Sequence, residues 1–147
     1  MENDVVLSVR DLVVQFTLRG QVLTAIRGAS LDLHKGESLA IVGESGSGKS
    51  VLTKSFMGML DANGRIDGGS ILFDGEDIAG YCTEKEWLRI RGRRIAMVFQ
   101  DPMTALSPLM PVGKQIAETL TLHQGLRGRA ARQRAIEILR DVGITYP

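Results

Sequence analysis

At 147 residues, 44% apolar and 24% charged, with a formal net charge of +1, the chain has the composition of one folded domain or part of a larger one. That balance argues against disorder and against a general electrostatic pull toward nucleic acid. The single cysteine, Cys82, excludes a disulfide framework or a cysteine-based metal site within the chain. It fits a reducing, intracellular setting and is expected as an incidental buried or half-buried thiol.

The amino-terminal "MENDVVLSVR" is acidic and then strand-like, without the basic and apolar regions of a signal peptide. No apolar run approaches the roughly 20 residues needed to cross a bilayer, so any membrane link goes through a partner. Valine-rich "VVLSVRDLVVQF" predicts a strand at the domain's edge. "LTAIRGASLDLHKGE" predicts two short strand runs, with Ala29, Leu31 and Leu33 on a buried face. "SLAIVG" is a continuous apolar run, as in a strand covered on both sides. Lys49 to Leu60 predicts a helix with Leu52, Phe56 and Leu60 on one stripe.

"DANGRIDGG" is turn chemistry, and "SILFDGEDI" a strand ending in the tight-turn signal Asp74-Gly75. Glu84 to Arg91 predicts a short helix started by Thr83, and "RRIAMVFQD" another buried strand. "PMTALSPLMP" carries three prolines and predicts a loop. Val112–His123 and Gly128–Val142 predict two helices, the second with Ala135, Ile138, Leu139 and Val142 at helical spacing and Gly143 as its stop. The chain stops at "GITYP" without a closing strand, which reads as an unfinished domain.

Gly43-Glu44-Ser45-Gly46-Ser47-Gly48-Lys49-Ser50 matches G-x-x-x-x-G-K-[ST] at every fixed position. Its glycines let the backbone bend with N–H groups inward and leave no Cβ to block a phosphate oxygen. A helix starting near Lys49 adds its positive end. Lys49 is expected to reach the β- and γ-phosphates, and the Ser50 hydroxyl to ligate Mg²⁺. The bland alternative is a glycine-rich turn, but the motif follows a buried-type strand and opens a helix, as phosphate binding requires.

P-loop enzymes add a strand ending in an aspartate that helps hold Mg²⁺. Ile71-Leu72-Phe73-Asp74 has that look, yet Gly75 follows where a carboxylate would polarise water, and a small hairpin is the simpler reading. Ile95 to Gln100 is a second buried run, ending in an amide that could touch Mg²⁺ or position a water. On its own, Gln100 is as well explained as a polar exit residue.

Together, "GESGSGKSVLTKSFMGML", "GGSILFDGEDI" and "RGRRIAMVFQDPMTALSPLMPVGKQIAETL" resemble the ATP-binding subunits of ABC transporters, in the dipeptide/oligopeptide and nickel importer branch. That branch more often has Asn where Ser107 stands. The resemblance implies an α/β P-loop NTPase core, RecA-like and of ABC type. An antiparallel β-subdomain and the start of a helical subdomain accompany it, within an incomplete domain. Residues 1–99 would form the core and β-subdomain, and 100–147 the Q-loop and start of the helical subdomain.

The resemblance assigns ATP and Mg²⁺ to the loop Gly43–Ser50 with Val51 behind it. It gives Lys49 and Gln100 catalytic roles, Ser50 and Gln100 contact with the metal, and Phe16 the aromatic position that stacks on adenine. The bland alternative for Phe16 is a core residue of an edge strand. Implied partners are transmembrane permease subunits, a second ATP-binding subunit (identical or not) and, indirectly, an extracytoplasmic solute-binding protein. The implied location is peripheral, at the cytoplasmic face of the membrane.

The family's signature loop, metal-binding aspartate with catalytic glutamate, and switch histidine are not among these residues. Nucleotide binding without efficient hydrolysis is therefore expected of them. His34 and His123 read as surface or cap residues, and Arg89, Arg91, Arg93 and Arg94 as a solvated rim. Two other functions compete. One is a soluble P-loop ATPase that contacts nucleic acid through "RIRGRR", against which near-neutral charge and missing aromatics argue. The other is a non-enzymatic nucleotide-binding fragment.

Overall fold

The computed structural model describes residues 4–99, 101 and 105–147. The chain divides into two units, Met1–Arg91 and Gly92–Pro147. The first is built on an antiparallel sheet in the order β2-β1-β3-β4, with β1 at Val5–Leu18, β2 at Gln21–His34, β3 at Gly64–Phe73 and β4 at Glu76–Asp77.

β1 lies inside this sheet, not at the edge its sequence suggested, with β2 on one side and β3 on the other. Its loose alternation has a physical cause. Leu7, Val9, Leu12 and Val14 are all buried, although two residues, Arg10 and Asp11, separate Val9 from Leu12. Asp11 sits at φ 46°, and the pairing slips at this point against both neighbours. The Asp11 amide donates to the Ser30 hydroxyl at 2.9 Å. The extra residue of the bulge returns Leu12 and Val14 to the face that Leu7 and Val9 occupy.

β2 is one strand, not two short runs, and its Ala29, Leu31 and Leu33 are half-buried. β3 begins at Gly64, so "GRIDGG" is strand where turn chemistry was expected. Gly64 pairs with Phe16 and Ile66 with Val14. The long partner strand outweighs the weak intrinsic preference of these residues. Asp74 and Gly75, at φ 47° and 81°, make the expected turn into β4.

Helix α1 runs from Lys49 to Ser55, with Leu52, Phe56 and Met57 buried. It stops short of Leu60 because the chain turns there, and the amides of Met57 and Met59 both donate to the Lys54 carbonyl. Helix α2, Glu84–Trp87, is shorter than its sequence suggested but starts as expected, on a Thr83–Glu86 capping box. Cys82 is exposed, contrary to expectation. It precedes the cap, where its amide donates to the Glu86 carboxylate at 3.0 Å and its thiol faces the Gly80 carbonyl.

The runs around Leu39–Val42 and Ile95–Phe99 correct the expectation of two buried strands. Neither belongs to a strand of the sheet, and Val42 and Val98 are 91% and 99% exposed. A strand needs neighbours for its backbone groups, and a parallel one needs cover on both faces. No described segment supplies either.

In the second unit, α3 (Val112–Gln124) and α4 (Gly128–Asp141) fall within a residue of their expected bounds. Leu120, Ala131 and Ala135 are buried between them. Gly143, at φ 88°, stops α4: its amide donates to Arg140, and that of Ile144 to Leu139, both at 2.9 Å. Val142 lies past the helix end and is exposed, so it does not join the apolar stripe. The Gln115 amide donates to the carbonyls of Ser107 and Met110 and accepts from the Ser107 amide, fastening the proline-bearing turn to α3.

The capping box yields a test. The Thr83 hydroxyl, then the amides of Thr83 and Cys82, hold the Glu86 carboxyl below its ordinary value. A carboxyl whose folded-state value is depressed stabilises the fold above its unfolded value and loses that contribution as pH falls. Thr83→Ala should therefore lower unfolding free energy at neutral pH, measured by urea denaturation. The gap between the two proteins should narrow as pH drops through the carboxylate range.

Candidate nucleotide-binding site

The segment from Gly43 to Ser50 leaves an exposed apolar run and enters α1. Gly48 caps that helix in the left-handed region, at φ 95°. A Cβ there would lie 2.7 Å from Ile26 Cδ1 and 3.1 Å from the Ala25 carbonyl oxygen. Both the dihedral and the space therefore demand glycine at this position. β2 thus sets where α1 begins.

The Ser47 amide donates back to Glu44 at 3.2 Å, which tightens the loop. Among the described residues, the first amide of α1 with a carbonyl partner is that of Leu52, donating to Gly48 at 2.8 Å. The amides of Lys49, Ser50 and Val51 precede it, at the positive end of the helix.

Lys49 folds back over this loop. Its ammonium donates to the carbonyls of Gly43 at 2.8 Å and Glu44 at 2.6 Å, and to the Ser47 hydroxyl at 3.4 Å. A cation is held inside a ring of backbone, beside unpartnered amides. Phosphate oxygens could replace those neutral acceptors with charge-assisted bonds, which are roughly twice as strong. Glu44, Ser45, Gly46 and Ser50 are exposed, and Val51 is half-buried. The donor set of amides, one ammonium and hydroxyls suits a triphosphate, and the Ser50 hydroxyl suits a hard cation beside it. No group of three or more His, Cys, Asp or Glu among the described residues could hold a metal by itself.

Phe16 is half-buried on β1, opposite Leu23 of β2 and Gly64 of β3. A Cβ on Gly64 would lie 2.6 Å from Phe16 Cε1, so the ring lies over that glycine. β2 links Phe16 to the loop: Leu23 pairs with it, and Ala25 and Ile26 reach Gly48. These two supports carry no motif and were not singled out from sequence. Gln100 lies outside the described residues.

The hairpin reading of Asp74 holds: it occupies a turn, and its amide donates to Val6 at 2.8 Å. His34 is exposed, while His123 is half-buried with its ring over Gly92. The basic cluster is not wholly a solvated rim. Arg91 bonds the carbonyls of Met57 and Gly58, and Arg89 pairs with Glu76 at 3.3 Å. A guanidinium can satisfy several carbonyls at once, and this one does so where α1 ends. Among the described residues no helix is long and apolar enough to cross a membrane.

Comparison with known proteins agrees with this geometry. The ABC transporter family matches residues 26–146. An oligopeptide transport ATP-binding protein, AmiE of Streptococcus pneumoniae, is 54% identical over 97% of this chain and 40% of its own length. The dipeptide transport ATP-binding protein DppD of Lactococcus lactis is 49% identical over 98% of this chain and 41% of its own. The chain thus spans about 40% of the length of the curated relatives it matches. A dimeric bacterial ABC transporter cassette has a TM-score of 0.76 at 23% identity, over 91% of this chain and 56% of its own. The post-hydrolysis state of the cassette MJ0796, bound to ADP and Pi, gives 0.75 at 26% identity over the same shares. The α/β P-loop fold of ABC type is therefore borne out.

Gly48→Ala tests how the loop is supported. The left-handed dihedral costs an L-residue about 1–2 kcal/mol. The variant should lose at least that much stability in thermal unfolding, since the new methyl also presses on Ile26 and Ala25.

Proposed function

This chain belongs to the ABC transporter family, and we propose that it binds ATP with Mg²⁺ at residues 43–51 and serves an ATPase that drives import of peptides or related small solutes. The observation that carries the reading is the Lys49 ammonium, held within its own loop at the amino end of α1. Lys49 exchanges the Gly43 and Glu44 carbonyls for β- and γ-phosphate oxygens, and the backbone amides from Gly46 to Val51 close around the phosphates. The Ser50 hydroxyl ligates the metal. When bound, Mg²⁺ neutralises charge on the phosphate oxygens. Phe16 stacks on adenine, and Gln100 touches the metal and senses the γ-phosphate.

The substrate class rests on the relatives named for oligopeptide and dipeptide transport. A second ATP-binding subunit is supported by the dimeric state of the solved cassette. The remaining partners are transmembrane permease subunits and, through them, an extracytoplasmic solute-binding protein, with this protein peripheral at the cytoplasmic face. These 147 residues alone bind nucleotide with little turnover, since the family's water-activating glutamate is not among them. The nucleic-acid reading is weakened because Arg89 and Arg91 are engaged within their own unit.

Lys49→Ala removes the ammonium and leaves the backbone loop. ATP affinity by calorimetry should fall about a hundredfold, the worth of one strong charge-assisted contact. Unchanged affinity in a folded variant would count against phosphate binding at this loop.

A further inference from the structure

The carboxyl end of α1 is fastened as deliberately as its amino end, by residues that no motif marks. Arg91 Nε donates to the Met57 carbonyl at 2.6 Å, and one Nη to the Gly58 carbonyl at 2.7 Å. The other Nη meets both Glu84 carboxylate oxygens at 3.0 Å. The guanidinium lies 5.1 Å from the centre of the Trp87 ring. That ring is buried and takes Tyr81 edge-on, with centroids 5.2 Å apart. It presses on Gly58, where a Cβ would lie 2.1 Å from Trp87 Cε2.

The carbonyls that Arg91 binds lie just past the last turn of α1, need donors of their own, and sit where the helix presents its negative end. A guanidinium answers both needs together. At seven residues, α1 is a rigid rod of about 10 Å. One end holds Lys49 and Ser50, and the other ends in the turn that Arg91 and Trp87 grip. A rod this short transmits a shift at one end to the other.

We propose that Arg91 is a positioning residue for nucleotide binding: by clamping the turn after α1 against Trp87 and Glu84, it holds Lys49 and Ser50 where they engage phosphate. The inference rests on the reading of residues 43–51 as the ATP site. It makes Trp87, the only tryptophan in these 147 residues, a reporter of nucleotide at the far end of the helix.

The test uses the complete protein, with Mg²⁺-ATP affinity from calorimetry, thermal midpoints, and tryptophan emission assigned to Trp87 by its loss in Trp87→Phe. Wild type should bind ATP with a change in that emission, and Lys49→Ala should bind about a hundredfold more weakly, with no emission change at ATP concentrations that saturate wild type. If wild type fails to bind, or Lys49→Ala binds equally, the ATP site itself is wrong and this inference falls with it. Granted that site, a folded Arg91→Met should bind about tenfold more weakly and lose the emission change at saturating ATP. Arg91→Lys keeps the charge but not the fork, and should recover part of both. Wild-type affinity in folded Arg91→Met overturns the proposal. If Arg91→Met does not fold, Arg91→Lys decides: reduced affinity at an unchanged midpoint supports the clamp, and wild-type affinity and emission refute it.

Discussion

A helix begins with amides that nothing inside it can satisfy. In the first unit, the placement of one such beginning governs the rest. The amides of Lys49, Ser50 and Val51 open α1 with no carbonyl partner before them, and the Lys49 ammonium folds into the same space. Positive charge gathers at one point while the nearby acceptors are neutral carbonyls. An arrangement of this kind is built for an anion.

Such a point must be held in place, and the antiparallel sheet does this through β2. Ala25 and Ile26 stand against Gly48 so closely that no side chain fits between. β2 is in turn kept in register by β1, whose bulge at Asp11 keeps Leu7, Val9, Leu12 and Val14 on one face. Without that extra residue, the alternation would turn half of these side chains to solvent and the strand could not bury them. The path from core to loop is therefore short: buried face of β1, register of β2, cap of α1. Phe16 joins the same path from the other side, over Gly64.

The apolar runs at 39–42 and 95–99 follow a different logic. Continuous hydrophobicity states a need for cover but names no neighbour. Among the described residues that need is unmet, and Val42, Val98 and Phe99 face solvent. The antiparallel strands differ because they find partners among the described residues: β1 with β2 across Arg19-Gly20, β3 with β4 across Asp74-Gly75, and β1 with the sequence-distant β3.

Local signals in the sequence determined the elements whose causes are local. The phosphate loop is eight residues whose spacing carries its own chemistry. Thr83 and Glu86 announce the start of α2, Asp74-Gly75 the hairpin, and Gly143 the end of α4. Only the tertiary structure decided the rest. It made β1 an interior strand, drew the polar, glycine-rich "GRIDGG" into β3, and left two apolar runs uncovered. It also turned Arg91 from an apparent surface charge into a clamp on the turn after α1. The physical reason is common to all of these: a strand's position and a guanidinium's partners depend on groups distant in sequence, which composition and periodicity do not bring together.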